Sequence, residues 1–163
     1  MPMEEKGTSK VGFDPNALAV QYYFGDLQYW KLPRICVEAL ENGFDGRTLR
    51  ILAGLANPVA TDIRADEIDE AFREMGVNAP ISKDDARLVL AMEAARRGMS
   101  GQSNAFNEAM HIRIHLCEWH KAPRELQPIV ALSEESEHAP RWKWEQIERQ
   151  LRDALQEFVN SRG

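Results

Sequence analysis

The feature that most constrains this chain is the return of apolar residues every three or four positions, between breaks marked by proline, glycine and asparagine. This spacing places side chains on one face of an α-helix, and no stretch shows the sustained alternation of a half-buried β-strand. Because one helix cannot bury its apolar face alone, the segments must pack against one another. Two series show the spacing best: Ile68, Ala71, Phe72 and Met75, and Trp144, Ile147, Leu151, Leu155 and Phe158.

The breaks divide the chain into six to eight helices with short connections. Proline at a first helical position, and small polar residues that cap a helix, mark most of the starts. We therefore predict an all-α fold, with a single domain over residues 13–163 packed as an orthogonal or bundle-like array, behind a disordered polar tail at residues 1–12. The predicted starts lie at Asp14-Pro15, Pro33, Asp45, Thr61, Ser82, Asn104, Pro128 and Pro140.

Composition excludes several classes of protein. With 20 Lys and Arg against 26 Asp and Glu, the formal net charge is −6, and an acidic chain repels the phosphates of nucleic acids. No apolar run approaches the roughly 20 residues of a membrane span, and the N-terminal residues hold no hydrophobic stretch typical of a signal peptide. We expect a cytoplasmic protein in which Cys36 and Cys117 are buried, reduced thiols.

The order of segments resembles a loosely defined group of uncharacterised bacterial all-helical proteins, over roughly residues 35 to 160. The segments that carry the resemblance are Gly43–Leu55, Ala65–Phe72, Ser82–Arg97, Leu126–Leu132 and the acidic Ser133–Glu137. The resemblance implies an all-helical fold and a bacterial source. It implies no activity and no site residues.

The stretch from Glu108 to His120 holds three of the four histidines of the chain. Histidines at i and i+4 bind one divalent metal ion through neutral ring nitrogens, and a carboxylate one turn away adds a ligand. The stretch therefore predicts a metal site, and with it a metal-dependent helical enzyme in which the ion activates water. At 100° per residue, one helical sector of roughly 80° holds the four candidate ligands: Glu108, His111, His115 and Glu118.

The same stretch has a second interpretation. Apolar residues flank the polar sector on both sides, among them Met110, Ile114 and Leu116, so the helix predicted from about 104 to 121 is central and mostly buried. Its polar side chains then pair with one another or with arginines of neighbouring helices. We favour this interpretation, which needs no metal ion and no cofactor.

Acidic residues are concentrated in the segment from Asp62 to Glu74, which holds six carboxylates against Arg64 and Arg73. Such a face either is an ordinary solvated surface or steers a cationic partner toward the protein. As a binding surface it predicts contacts through Asp66, Glu67, Glu70 and Glu74.

No nucleophile elbow, phosphate-binding glycine loop or dinucleotide-binding motif is present in the sequence. We therefore expect a non-enzymatic, acidic protein-binding module. The most specific version of this hypothesis is an immunity or antitoxin-like protein that neutralises a basic toxin. The metal-dependent enzyme is the alternative, and a self-associating structural protein is a third possibility, supported by the amphipathic C-terminal helix.

Overall fold

The computed structural model describes residues 12–59, 62–117 and 121–162, and all regular elements in these ranges are helical, as predicted. None of the described helices is long and apolar enough to cross a membrane. Short 3₁₀ turns precede α2, α7 and α8, and the π-helical segment Ile112–Leu116 continues α6. The α-helices are α1 (Pro15–Phe24), α2 (Leu32–Glu41), α3 (Arg47–Ala53), α4 (Ala65–Glu74), α5 (Lys83–Ser100), α6 (Ala105–His111), α7 (Gln127–His138) and α8 (Trp144–Arg162).

The tertiary contacts of the chain form two compact units, Met1–Ala86 and Arg87–Gly163, with the boundary inside α5. The single domain expected over residues 13–163 stays a prediction. Of the predicted tail, residues 1–11 lie outside the described residues, as does Thr61. Helix α4 begins at Ala65 with Arg64 as its N-cap, so the prediction that Thr61 caps this helix is wrong.

Several predicted helix boundaries are confirmed by their hydrogen bonds. The Asp14 carboxylate accepts from the backbone N–H groups of Asn16 and Ala17, at 3.1 and 3.3 Å, and so caps α1. At the other end of α1, Gly25 has φ 109°, the left-handed conformation that ends helices. The Ser82 hydroxyl accepts from the N–H of Asp85 at the start of α5, at 3.1 Å.

The start of α3 differs from the prediction. Its N-cap is Gly46, and the carboxylate of Asp45 accepts from the N–H of Gly46 instead of from the first turn. The free N–H groups of that turn, on Thr48 and Leu49, donate to the carboxylate of Glu74 at the end of α4, at 3.2 and 2.8 Å. A side chain from another helix therefore caps α3.

The first unit has its core between α1, α2, α3 and α4. Leu49, Leu52 and Phe72 are among its largest fully buried side chains. The rings of Tyr22 and Tyr23 pack on Phe72 with centroids 6.0 and 5.8 Å away. Helices α2 and α3 pack against each other, and α2 and the segment that follows α3 line the groove described below.

The second unit contains the predicted C-terminal stripe. Ile147, Leu151, Leu155 and Phe158 are buried, as expected, whereas Trp144 is 45% exposed, and its inclusion in the stripe is wrong. Trp144 lies in the first turn of α8, where its indole N–H donates to the Ala139 carbonyl at 3.2 Å.

Helix α5 approaches its neighbours in this unit closely. A Cβ added at Gly98 would lie 3.3 Å from the Leu155 side chain and 3.4 Å from that of Glu108. The absence of a side chain at position 98 therefore lets α5 pack near both α8 and α6.

Candidate binding surfaces

The helix that carries the histidines ends earlier than predicted. Its α-helical part stops at His111, and the next turn is π-helical, with the N–H of Cys117 donating to the Ile112 carbonyl at 2.9 Å. Cys117 itself is extended, so the prediction of one helix from about 104 to 121 is wrong. The side chain of Arg87 donates to the Leu116 carbonyl at 2.6 Å and thereby satisfies one of the carbonyls at this end.

This change removes the geometry on which the predicted metal site was based. The 100° spacing applies only up to His111, and Glu118 lies outside the described residues. Glu108 is buried and accepts from the guanidinium of Arg97 at 3.2 Å. This contact agrees with the second interpretation, in which the polar side chains of this segment pair with arginines of neighbouring helices.

His111 and His115 do lie together, with ring centroids 5.0 Å apart and planes 19° from parallel. A metal ion bound by two imidazoles lies close to the plane of each ring, and stacked rings with nearly parallel planes share no such point nearby. One ring would have to rotate before both could bind one ion. Among the described residues, no group of three His, Cys, Asp or Glu side chains is placed to hold a metal ion. The four-residue metal site stays a prediction.

A buried arginine on the same segment was not predicted from the sequence. Arg113 is only 3% exposed; its Nε donates to the Ser133 hydroxyl at 3.0 Å, and its guanidinium forms an ion pair with Glu137. Part of the acidic cluster on α7 is therefore bound within the protein. The available signal was the position of Arg113 between Ile112 and Ile114, in an otherwise apolar stretch.

Two of the four acidic residues predicted to bind a partner lie at the surface of α4. Asp66 is exposed and pairs with Arg64 at 2.6 Å, and Glu70 is exposed and pairs with Arg73 at 3.3 Å. The hydrogen bond from Arg64, together with its positive charge, lowers the pKa of the Asp66 carboxyl. These pairs are solvent-exposed and therefore weak, so a partner could replace them at little cost.

The other two, Glu67 and Glu74, accept hydrogen bonds from backbone N–H groups at the starts of α4 and α3. The Glu67 carboxylate accepts from the backbone N–H of Arg64 at 2.9 Å, and Glu74 caps α3. Nearby on α4, Asp69 accepts a hydrogen bond from the hydroxyl of Tyr23. A substitution at Glu67 or Glu74 would thus disturb the fold as well as any partner surface.

Neither cysteine has the character of a nucleophile. Both are buried, as expected, and burial raises the pKa of the Cys36 thiol to about 12 and also raises that of Cys117. At neutral pH both side chains are uncharged thiols, and a thiol reacts far less readily than a thiolate.

A concave surface of the first unit lies between α2 and the segment that follows α3. This α2 groove encloses about 550 Å³. Trp30 at its edge is 54% exposed and Val37 is 38% exposed, whereas most large apolar side chains described in this unit are buried or partly buried. The groove is lined by Trp30, Pro33, Arg34, Val37, Glu38, Glu41, Ala53, Leu55, Asn57 and Pro58.

The wall contributed by α2 is one face of that helix. Four of its residues, Arg34, Val37, Glu38 and Glu41, follow the i, i+3, i+4, i+7 pattern, so their side chains line up opposite the buried face. The opposite wall contains Asn57, whose φ of 51° is left-handed, a conformation that asparagine tolerates better than most residues.

The α2 groove was not predicted from the sequence. Trp30 lies in a short 3₁₀ turn outside the α-helices, and Val37 is a single apolar residue on a polar helix face. What makes them a site is the packing of α2 against α3, which places Ala53 and Leu55 opposite them.

The resemblance to a group of bacterial helical proteins stays a prediction. No protein-family model, no curated protein and no solved structure matches this chain.

Proposed function

We propose that this chain is a non-enzymatic protein-binding module that receives an apolar segment of its partner in the α2 groove. The observation that carries the proposal is Trp30, a half-exposed indole at the edge of a depression of about 550 Å³. Tryptophan is enriched among the residues that dominate binding energy at protein interfaces.

The arrangement of the apolar residues supports a protein partner. Single exposed apolar side chains are common on any protein and carry no argument. Here Trp30, Val37, Leu55 and Pro58 meet in one concave surface with a charged rim, which is the usual composition of an interaction site.

The net charge of −6 favours a basic partner. An immunity-like inhibitor of a basic toxin is the narrower form of the proposal. In that form, the exposed carboxylates of Asp66 and Glu70 would accelerate encounter, while the α2 groove would supply the close contacts.

Selection from a displayed library of random peptides tests the proposal even though the natural partner is not identified. Peptides enriched on the wild-type protein should lose at least about tenfold in affinity on Trp30→Ala, the effect of removing an interface hot spot. Trp142→Ala is the matched control, because Trp142 is 77% exposed and lies in the second unit. The enriched peptides should bind this control variant as they bind the wild type.

A circular-dichroism melt of both variants accompanies the binding measurement. Since both indoles are largely exposed, neither substitution should unfold the protein. Failure of the library to enrich any peptide, or enriched peptides that bind the folded Trp30→Ala variant as tightly as the wild type, would refute the α2 groove as the binding site.

A further inference from the structure

We infer that the partner segment bound in the α2 groove carries a lysine or arginine beside its large apolar side chain, and that Glu38 and Glu41 recognise this cation. The inference rests on the proposed function and adds the chemistry of the ligand. It is based on the charges along the α2 wall.

The carboxylates of α2 and α4 differ in whether they bind other groups of the protein. On α4 the acidic side chains bind arginines, backbone N–H groups or, for Asp69, the hydroxyl of Tyr23. Glu38 and Glu41 are exposed, and in the part of the chain that the structure describes their side chains form no ion pair or hydrogen bond. An incoming cation can therefore bind them without displacing an internal partner.

The charge of the α2 wall also changes along the groove, from positive near the start of the helix to negative near its end. Arg34 lies near the start of α2, and Glu38 and Glu41 lie one and two turns later, next to the helix C-terminus. The carbonyl end of a helix carries partial negative charge, which adds to that of the two carboxylates. The end of the groove near Glu41 is therefore the site for a cation, and the end near Trp30 and Pro33 is the apolar site.

The size of the groove is consistent with such a ligand. A volume of about 550 Å³ lies within the range of roughly 300–1,000 Å³ typical of ligand clefts. It is large enough for several side chains of one segment, so an apolar and a basic residue one helical turn apart can occupy it together.

Two synthetic peptides of about four helical turns test this chemistry. One is built from leucine and lysine, the other from leucine and glutamate in the same pattern. Binding is followed in NMR spectra through the indole N–H signal of Trp30, which Trp30→Phe assigns. This local signal separates binding in the α2 groove from general attraction of a cationic peptide to an acidic protein.

The lysine peptide should shift the Trp30 signal, and the glutamate peptide should not. Replacing the two carboxylates by Glu38→Gln and Glu41→Gln should weaken lysine-peptide binding by about three- to tenfold and reduce its dependence on salt, as expected for two exposed ion pairs. The control pair Glu93→Gln and Asp153→Asn removes the same charge from exposed positions on α5 and α8 and should change the affinity less than about twofold.

The outcomes separate this inference from the proposed function. Equal binding of both peptides at Trp30, or unchanged binding by the double glutamine variant, would overturn recognition of a cation but leave the α2 groove as an apolar docking site. If neither peptide shifts the Trp30 signal while binding of the library peptides still depends on Trp30, the inference about the cation is overturned and the proposed function is not. Failure of the library selection as well would remove the proposed function.

Discussion

The capping of α3 by Glu74 can be tested quantitatively. The Glu74 carboxylate accepts from the N–H groups of Thr48 and Leu49, at 3.2 and 2.8 Å, across the packed α3–α4 pair. Loss of a helix N-cap costs about 0.5–2 kcal/mol, and a hydrogen bond to a charged group contributes about 1.5–3 kcal/mol. Because Glu74 remains partly exposed, we expect Glu74→Ala to lower the free energy of unfolding by about 2 kcal/mol.

Gly46 provides a second, independent way to remove the same cap. A Cβ added at this position would overlap the Glu74 carboxylate, and the end of this flexible side chain would have to move away from α3. The backbone of Gly46 is extended, at φ 171°, so alanine adopts it without strain. Gly46→Ala should therefore cost at most as much as Glu74→Ala, about 2 kcal/mol.

The double variant distinguishes this mechanism from two unrelated losses. Once Glu74 has been replaced by alanine, nothing remains for the new methyl group of Gly46→Ala to displace. The double variant should be about as stable as Glu74→Ala alone, so the coupling between the two sites equals the cost of Gly46→Ala, at most about 2 kcal/mol. Stability is measured by urea unfolding followed by circular dichroism.

Glu70→Ala serves as the control, because Glu70 lies one turn earlier on α4 and pairs only with an exposed arginine. Its cost should stay below about 0.5 kcal/mol. A loss in the double variant equal to the sum of the two single losses, or a Glu74→Ala cost no larger than that of Glu70→Ala, would refute the capping of α3 by Glu74.

Three further predictions concern groups that are buried or that contact buried side chains. Burial, followed by the hydrogen bond to Asp69, raises the pKa of Tyr23 above its ordinary 10.0. Tyr23 therefore ionises first in the unfolded chain, and the free energy of unfolding falls as pH rises beyond about 10. In urea titrations, Tyr23→Phe should cost about 1 kcal/mol at neutral pH, and its free energy of unfolding should fall less than that of the wild type above about pH 10. Glu137→Gln should cost about 1–2 kcal/mol by the same assay, because it replaces the carboxylate that pairs with the buried guanidinium of Arg113 by a neutral amide. Cys36 should resist a maleimide at pH 8 in the folded protein and react in urea, as read by mass spectrometry, since it is fully buried with a pKa of about 12.

Helix positions were predictable where the determining interactions are local. The caps of α1 by Asp14 and of α5 by Ser82 depend on atoms within four residues in the chain. The apolar stripe of α8 is also a local pattern, since every buried member recurs with helical spacing. Such features need only the sequence, because the hydrogen bonds and the spacing are properties of one segment.

The histidine segment was less predictable because one of its contacts involves a residue that is distant in the sequence. Its apolar pattern continues past His111, so the sequence predicts one long α-helix, whereas the folded chain changes to a π-helical turn and ends with the Leu116 carbonyl bound by Arg87. Arg87 is 29 residues away along the chain. No local pattern predicts which distant side chain will bind a carbonyl at the end of a helix.

The sequence by itself determined that this chain is helical and acidic, because spacing and charge are counted along one dimension. Tertiary packing alone decided which charges remain available to a partner. It turned Glu74 toward the start of α3, buried Arg113 against Glu137, and left Glu38 and Glu41 open beside Trp30. The physical reason is that a side chain binds whichever donors and acceptors the fold brings within about 3 Å, and these come from other segments of the chain.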